Sequence, residues 1–134
     1  MFLEKLNNEE KVMFLDMAMH VSKANGMIEE SEKHMLDVYC KEMEIASYDK
    51  EDIHSTDEIK AVFSGASDAA KRIAVFELLG LGYIDGSRDE LEIAVVKEFA
   101  AGIGITDEVF NSLNQDIEAY IKLIGSVQVH VFGA

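Results

Sequence analysis

Apolar residues recur at helical spacing along most of this chain, and polar turns separate the apolar segments. The clearest stripe is Leu36, Tyr39 and Met43, whose spacings of three and four residues place them on one face of a helix. Six such segments are present. They predict helices over residues 9–24, 30–44, 55–63, 68–83 and 90–102, and one or two further helices between residues 106 and 124.

The ends of these helices are set by glycine and by polar capping residues, since the chain contains no proline. Asn7–Glu10 and Ser55–Glu58 each have the spacing of a capping box, in which two side chains satisfy exposed backbone N–H groups. Gly125 is predicted to end the last helix. Residues 127–134 alternate like a strand but have no predicted partner strand, so we expect a tail.

The chain repeats itself at an offset of 60 residues. An apolar helix, an acidic turn and a second helix occupy residues 9–46 and occur again over residues 68–106. Neither hairpin can bury both faces alone, so each is expected to pack against the other with approximate two-fold symmetry. The sequence therefore predicts a single all-α domain over residues 1–134. Its fold would be a six- to seven-helix bundle built from two duplicated helix–acidic turn–helix hairpins.

Composition narrows the class of protein. The 134 residues are 49% hydrophobic, but no apolar run approaches the roughly 18 residues that span a bilayer. Cys40 is the only cysteine, and residues 1–5 lack a signal-peptide pattern, so a cytoplasmic protein is expected. The net charge of −14 disfavours nucleic acid and favours cations or basic protein surfaces. Solubility alone is the other explanation for this charge.

The two acidic turns carry oxygen ligands at matching positions. The pairs are Asn25 and Asp85, Glu29 and Asp89, Glu30 and Glu90, and Glu32 and Glu92. Hard divalent cations such as calcium and magnesium prefer oxygen ligands, so each turn is a candidate metal site. The second turn is the stronger candidate, because Asp85 carries a charge that Asn25 lacks.

Ordinary turn and capping chemistry is the alternative explanation for these acids. Asp or Asn before Gly is common in turns, and acids at a helix start interact favourably with the helix dipole. Asp89 would cap the fifth helix, with Glu92 as its capping-box partner. An EF-hand is excluded, because its loop requires Gly and Glu where this chain has Glu90 and Val96.

Other candidate chemistry is sparse. Asp16 and Glu77 each lie within an apolar segment, where burial could raise a pKa and make a general acid. An edge position on the apolar face is the other interpretation of each. Glu30, His34 and Asp37 share one helix face, either as transition-metal ligands or as a solvated surface. No nucleotide-binding or nucleophile-elbow motif is present, and no enzyme is predicted.

The two turns, in their helical setting, resemble the TerB-like family of tellurite-resistance domains. In that family an apolar helix ends in Ala-Asp-Gly, and an acidic helix start follows with Glu six residues after the Gly. Ala24-Asn25-Gly26 with Glu32, and Ile84-Asp85-Gly86 with Glu92, match this pattern, as Ile103-Gly104-Ile105-Thr106 matches the usual end of the following helix. The resemblance covers residues 10–115. Asn25 and Arg88 depart from the pattern by removing one negative charge and adding one positive charge.

The resemblance implies an all-α, non-enzymatic module of bacterial stress-response and tellurite-resistance systems. It implies acidic sites that chelate metal, contacts with protein partners, and in some members a peripheral association with the inner membrane. We therefore expect a divalent cation to bind through Asp85, Asp89, Glu90, Glu92, Asn25, Glu29 and Glu32. The alternative is a metal-free acidic domain that recognises a protein partner.

Overall fold

The computed structural model describes residues 1–26, 28–46, 48, 51–84 and 88–133. After a short 3-10 helix at Leu3–Lys5, these residues form six α-helices. The helices are α1 (Asn8–Ser22), α2 (Glu30–Glu42), α3 (Thr56–Ser64), α4 (Asp68–Leu81), α5 (Glu90–Gly102) and α6 (Asp107–Phe132). The described residues contain no strand. The predicted all-α helical bundle is confirmed.

Side-chain caps define most of the helix starts. At α1, Asn7 Oδ1 accepts a hydrogen bond from the Glu10 amide (2.8 Å), and Glu10 Oε1 accepts one from the Asn7 amide (2.9 Å). Ser55 and Glu58 form the same reciprocal pair at α3, at 3.2 and 3.1 Å. Both predicted capping boxes are confirmed, since these contacts satisfy amides that the helix itself leaves without a partner.

Helix α1 lies at the centre of the bundle. Its residues 13–19 are all buried, and it packs against α2, α3, α4 and α5. Phe14 meets Tyr39 of α2 edge to face, with ring centroids 5.1 Å apart. Such aromatic pairs add about 0.5–1.5 kcal/mol beyond the area they bury.

Not every apolar residue of the helices faces the core. Leu36, Tyr39 and Met43, the clearest predicted stripe, are buried as expected, but Val12 of α1 and Leu91 of α5 are exposed. Helix α5 instead buries a face that includes Ile93 and Val96. Spacing alone does not select the buried face when apolar residues occupy most sides of a helix.

The predicted stop at Gly125 is wrong. Helix α6 continues through Gly125 to Phe132, so residues 127–132 are helical and not a tail. A glycine inside a helix costs only about 1 kcal/mol relative to alanine, and a strand would need a partner to satisfy its backbone groups. The helix satisfies them internally. No helix among the described residues combines the length and hydropathy that crossing a bilayer requires.

Candidate functional site

The two acidic turns meet in space. Asn25 lies in the turn that follows α1, and its Nδ2 donates to Asp89 Oδ2 (3.0 Å) and to Glu92 Oε2 (3.3 Å). Both acceptors belong to the start of α5. The sequence suggested one site at each turn, whereas these contacts join the two turns into a single site.

Two buried carboxyl groups lie at the centre of this site. Glu32 of α2 is 1% exposed and Glu92 of α5 is 3% exposed, and each lies within hydrogen-bonding range of the other. Glu32 Oε1 accepts a hydrogen bond from the Glu29 amide (3.0 Å). The other oxygen of Glu32, Oε2, and Oε1 of Glu92 have no hydrogen-bond partner among the described residues. A buried oxygen that accepts no hydrogen bond lowers the stability of the folded state. A proton or a cation between the two carboxyl groups would remove this cost.

The two helix starts differ in how they are capped. Asp89 is the N-cap of α5, as predicted, and its Oδ1 accepts from the Glu92 amide (3.0 Å). The Asp89 amide, however, donates to the Gly82 carbonyl oxygen (2.9 Å). Glu92 therefore does not fill the predicted capping-box role, and its carboxyl group is directed towards Glu32 and Asn25 instead.

The pKa values of Glu92 and Asp89 shift in opposite directions. Removal from water, together with the adjacent Glu32 and Asp89 carboxyl groups, raises the pKa of Glu92 to about 9. The hydrogen bond from the Glu92 amide lowers the pKa of Asp89, with a further contribution from Asn25. Near neutral pH Glu92 is therefore protonated, and a cation bound by its carboxylate would displace that proton.

These groups line a cavity of about 130 Å³ between the two turns. Asn25, Glu29, Glu32, Asp89 and Glu92 contribute to its wall, so five of the seven predicted ligands are brought together. Its remaining wall is formed by Leu81, Gly82, Ile84 and Arg88. Four carboxyl groups and one guanidinium group leave the lining strongly acidic when all of them are ionised.

Of the other two predicted ligands, Glu90 does not contribute to this wall. It is exposed, and its Oε1 lies 2.8 Å from Arg88 Nε. Asp85, whose charge made the second turn the stronger candidate, lies outside the described residues. Arg88 also approaches the Tyr83 hydroxyl group (3.3 Å) and Glu118 of α6 (3.4 Å). No sequence pattern indicated this link to α6, because it depends on how α6 packs.

Asp16 of α1 is buried and accepts hydrogen bonds from two residues, Tyr48 and His54, that lie between α2 and α3. Its carboxylate accepts from the Tyr48 hydroxyl group, from the His54 amide (2.9 Å) and from the His54 ring Nδ1 (2.6 Å). The hydrogen bond to Asp16 raises the pKa of His54. His20 Nε2 contacts the carbonyl oxygen of His54 at 2.8 Å, which holds the same segment.

Glu77 is also buried but has a different role. It lies 2.8 Å from the Met1 amino group and accepts a hydrogen bond from the Phe2 amide (3.1 Å). Among the described residues, no group forms a hydrogen bond with both Asp16 and Glu77. Each carboxylate holds a different segment of the chain against the bundle. These contacts explain why each carboxylate is buried, and the explanation requires no catalytic role.

The third candidate set lies on the surface. Glu30, His34 and Asp37 are all exposed on α2, and Glu30 pairs with Lys33 at 3.2 Å. Across the part of the chain that the structure describes, no three His, Cys, Asp or Glu side chains have the arrangement of a preformed metal site. At the acidic cavity, the Asn25 side-chain amide donates a hydrogen bond to the carboxyl groups of Asp89 and Glu92, both of which a bound cation would also contact.

No family model, curated protein or solved structure matches this chain. The resemblance to TerB-like domains therefore depends on the residues of the two turns and remains a prediction.

Proposed function

We propose that this chain is a non-enzymatic, stress-response module of the tellurite-resistance TerB type. In this proposal it binds a divalent cation in the cavity between its two acidic turns and contacts protein partners. The observation that carries the proposal is the pair of buried oxygens, Glu32 Oε2 and Glu92 Oε1, which have no donor among the described residues. An acidic turn on the surface would not need a cation, but two facing buried carboxyl groups need a proton or a cation between them.

The chemistry of the wall favours a hard cation. The candidate ligands are carboxylate or amide oxygens, and the described residues place no His or Cys in the cavity wall. Oxygen ligands of this type suit Mg²⁺, Ca²⁺ and Mn²⁺ better than softer metals. Glu32 and Glu92 would hold the ion, with Asp89 and Asn25 beside them. The ion would link the start of α2 to the start of α5 electrostatically.

We further infer that α1–α2 and α4–α5 are two copies of one hairpin. The helix starts support this, since Asn8 and Asp68, and likewise Glu30 and Glu90, differ by 60 residues. At the same offset, Glu32 corresponds to Glu92. Equivalent residues can meet where two copies pack against each other, which explains why two identical acids face each other here.

Calorimetric titration with Mg²⁺, Ca²⁺, Mn²⁺ and Zn²⁺, paired with thermal melts, tests the proposal. We expect binding heat and a higher melting temperature for the wild-type chain. A metal ion whose free concentration is about 100 times its dissociation constant stabilises the folded state by about 2.7 kcal/mol. Glu32→Gln and Glu92→Gln should each remove this effect. Glu90→Gln is the matched control, because it makes the same substitution two residues from Glu92 but outside the cavity wall.

Proton release distinguishes the cavity from a diffuse surface effect. Because the raised pKa of Glu92 leaves it protonated near neutral pH, binding should release about one proton per ion at pH 7. Titrations in two buffers of different ionisation enthalpy measure this number. Absence of heat and of any thermal shift at millimolar metal would refute the proposal, as would equal losses in Glu92→Gln and Glu90→Gln.

A metal-free acidic interaction domain is the second candidate function. It is favoured by the Asn25 amide, which already donates to Asp89 and Glu92, and by the net charge of −14. In that case a shared proton satisfies Glu32 and Glu92, and the acidic surface recognises a basic partner. Partner capture that is insensitive to chelator but lost at high salt would support this function. Capture that requires metal would contradict it.

A further inference from the structure

Helix α6 extends beyond the bundle that its first half covers. It contains 26 residues and is therefore about 39 Å long. Phe110 and Ile117 are buried, and Ile121 is the last residue of α6 that packs against the core. Every residue from 122 to 132 is exposed. The second half of the helix is thus long, regular and without a packing partner among the described residues.

The apolar residues of α6 follow the spacing of a coiled-coil seam. Intervals of three and four residues alternate along the stripe Phe110, Leu113, Ile117, Tyr120, Ile124, Val127 and Val131. The first three side chains of the stripe lie against the bundle. The last four are 42%, 40%, 44% and 64% exposed. One continuous stripe is therefore covered at one end and uncovered at the other.

The charge of the uncovered half indicates what kind of surface can cover it. Residues 123–132 include no Asp, Glu, Lys or Arg, although the whole chain carries a net charge of −14. A basic partner would find no acid there to pair with, and an anionic lipid surface would be repelled by the rest of the chain. A second copy of the same helix matches it, because two uncharged stripes can pack without opposing like charges.

The exposed stripe supplies part of the area that a stable dimer needs. Its residues Tyr120, Ile124, Val127 and Val131 together expose roughly 350 Å², against about 800 Å² per partner in a standard interface. Leu123, which is also exposed, lies at the edge of this stripe. By helix periodicity, Val129 and Phe132 lie on other sides of the helix.

A groove beside the stripe can supply the remaining contact area. A cavity of about 960 Å³ lies between the second half of α6 and the bundle, and Tyr120 and Ile124 line one side of it. Met35 of α2 and Ile84 after α4 line the other side. An apolar helix from a second copy would bury both sides of this groove at once.

We propose that the second half of α6 is a homodimer interface, in which Tyr120, Ile124, Val127 and Val131 pack against the same stripe of a second copy. The contact is isologous, so one surface serves both chains and the assembly closes at two. Added salt should tighten the dimer, because it screens the repulsion between two acidic bundles and leaves the apolar contact intact.

Sedimentation equilibrium of the full chain, from micromolar to near-millimolar concentration, tests the proposal. We expect a monomer–dimer equilibrium that shifts towards dimer in high salt. Val127→Glu should raise the dimer dissociation constant at least tenfold, because it places a charge in the seam. Ser126→Glu is the matched control: it adds the same charge at the neighbouring residue, on the side of the helix that faces away from the stripe, and should change the constant less than threefold. Circular dichroism verifies that both variants stay helical.

The proposal is overturned by a wild-type chain that stays monomeric over the whole range, or by equal effects of Val127→Glu and Ser126→Glu. Co-sedimentation with phosphatidylcholine and phosphatidylglycerol vesicles provides a second readout. A monomeric chain that binds these vesicles, and loses that binding in Val127→Glu, would assign the stripe to a membrane surface and reject the dimer.

Discussion

Replacing Glu92 with glutamine removes the proton-binding group at the centre of the acidic cavity and preserves its size. The new side chain would carry an amide that can donate to the unpartnered Oε2 of Glu32. In the wild-type chain, burial and the adjacent acids raise the pKa of Glu92 above that of the unfolded chain. The folded state then binds more protons than the unfolded state between about pH 4.5 and pH 9. Wild-type stability should therefore fall as the pH rises through this range, and Glu92→Gln should lack that decrease.

The size of the effect follows from the two buried oxygens. Each buried polar atom without a partner costs about 1–3 kcal/mol, and the glutamine amide would supply a donor where ionised Glu92 cannot. We expect Glu92→Gln to be more stable than the wild type by about 1–3 kcal/mol at pH 9, and by less than about 1 kcal/mol at pH 5. In a chain of this length, 1 kcal/mol corresponds to roughly 4 °C in melting temperature.

Urea unfolding followed by circular dichroism at pH 5, 7 and 9, in the presence of chelator, measures this difference. Glu90→Gln serves as the control, because it makes the same substitution on the same helix but outside the cavity wall. The reasoning fails if Glu92→Gln is less stable than the wild type at pH 9. It fails equally if the difference between the two chains does not change with pH.

Three further predictions concern single substitutions. Asp16→Asn should lower the pKa of His54 towards its ordinary value in an NMR titration, since the hydrogen bond to Asp16 raises it; an unchanged pKa would contradict the contact. Gly125→Ala should stabilise the chain by about 0.5–1 kcal/mol, because no neighbouring side chain among the described residues lies within 4 Å of the added Cβ and alanine favours the helix. Gly82→Ala should instead cost about 1–3 kcal/mol, because its Cβ would lie 2.6 Å from Ile93 Cδ1. Thermal melts at one fixed protein concentration compare the two glycine variants, and equal effects would refute the packing argument.

Local patterns were sufficient to predict most helices and several of their caps. The capping boxes at Asn7 and Ser55 form as expected, since a capping box involves residues only three positions apart. The same local reasoning failed at Gly125, because a single glycine does not by itself end a helix. The helix continues because it satisfies its backbone groups internally, whereas an isolated strand would leave them without partners.

The acidic cavity shows the limit of local reasoning more clearly. Spacing placed Glu32 and Glu92 at equivalent positions near two helix starts, and the repeat aligned them. Neither the spacing nor the repeat indicated that both carboxyl groups are buried and face each other. Nor did they indicate that Asn25 joins one turn to the other. Glu90 illustrates the converse, because it belongs to the same motif but pairs with Arg88 on the surface.

The sequence by itself determined the all-α class, most of the helices and the acidic character of both turns, because these depend on contacts within a few residues. Only the tertiary structure decided that the two turns share one cavity. The reason is physical: helix periodicity fixes where a side chain lies on its own helix, but the distance between residues 60 positions apart depends on the packing of the core between them. That packing, centred on α1, buries Glu32 and Glu92 together and leaves the second half of α6 uncovered.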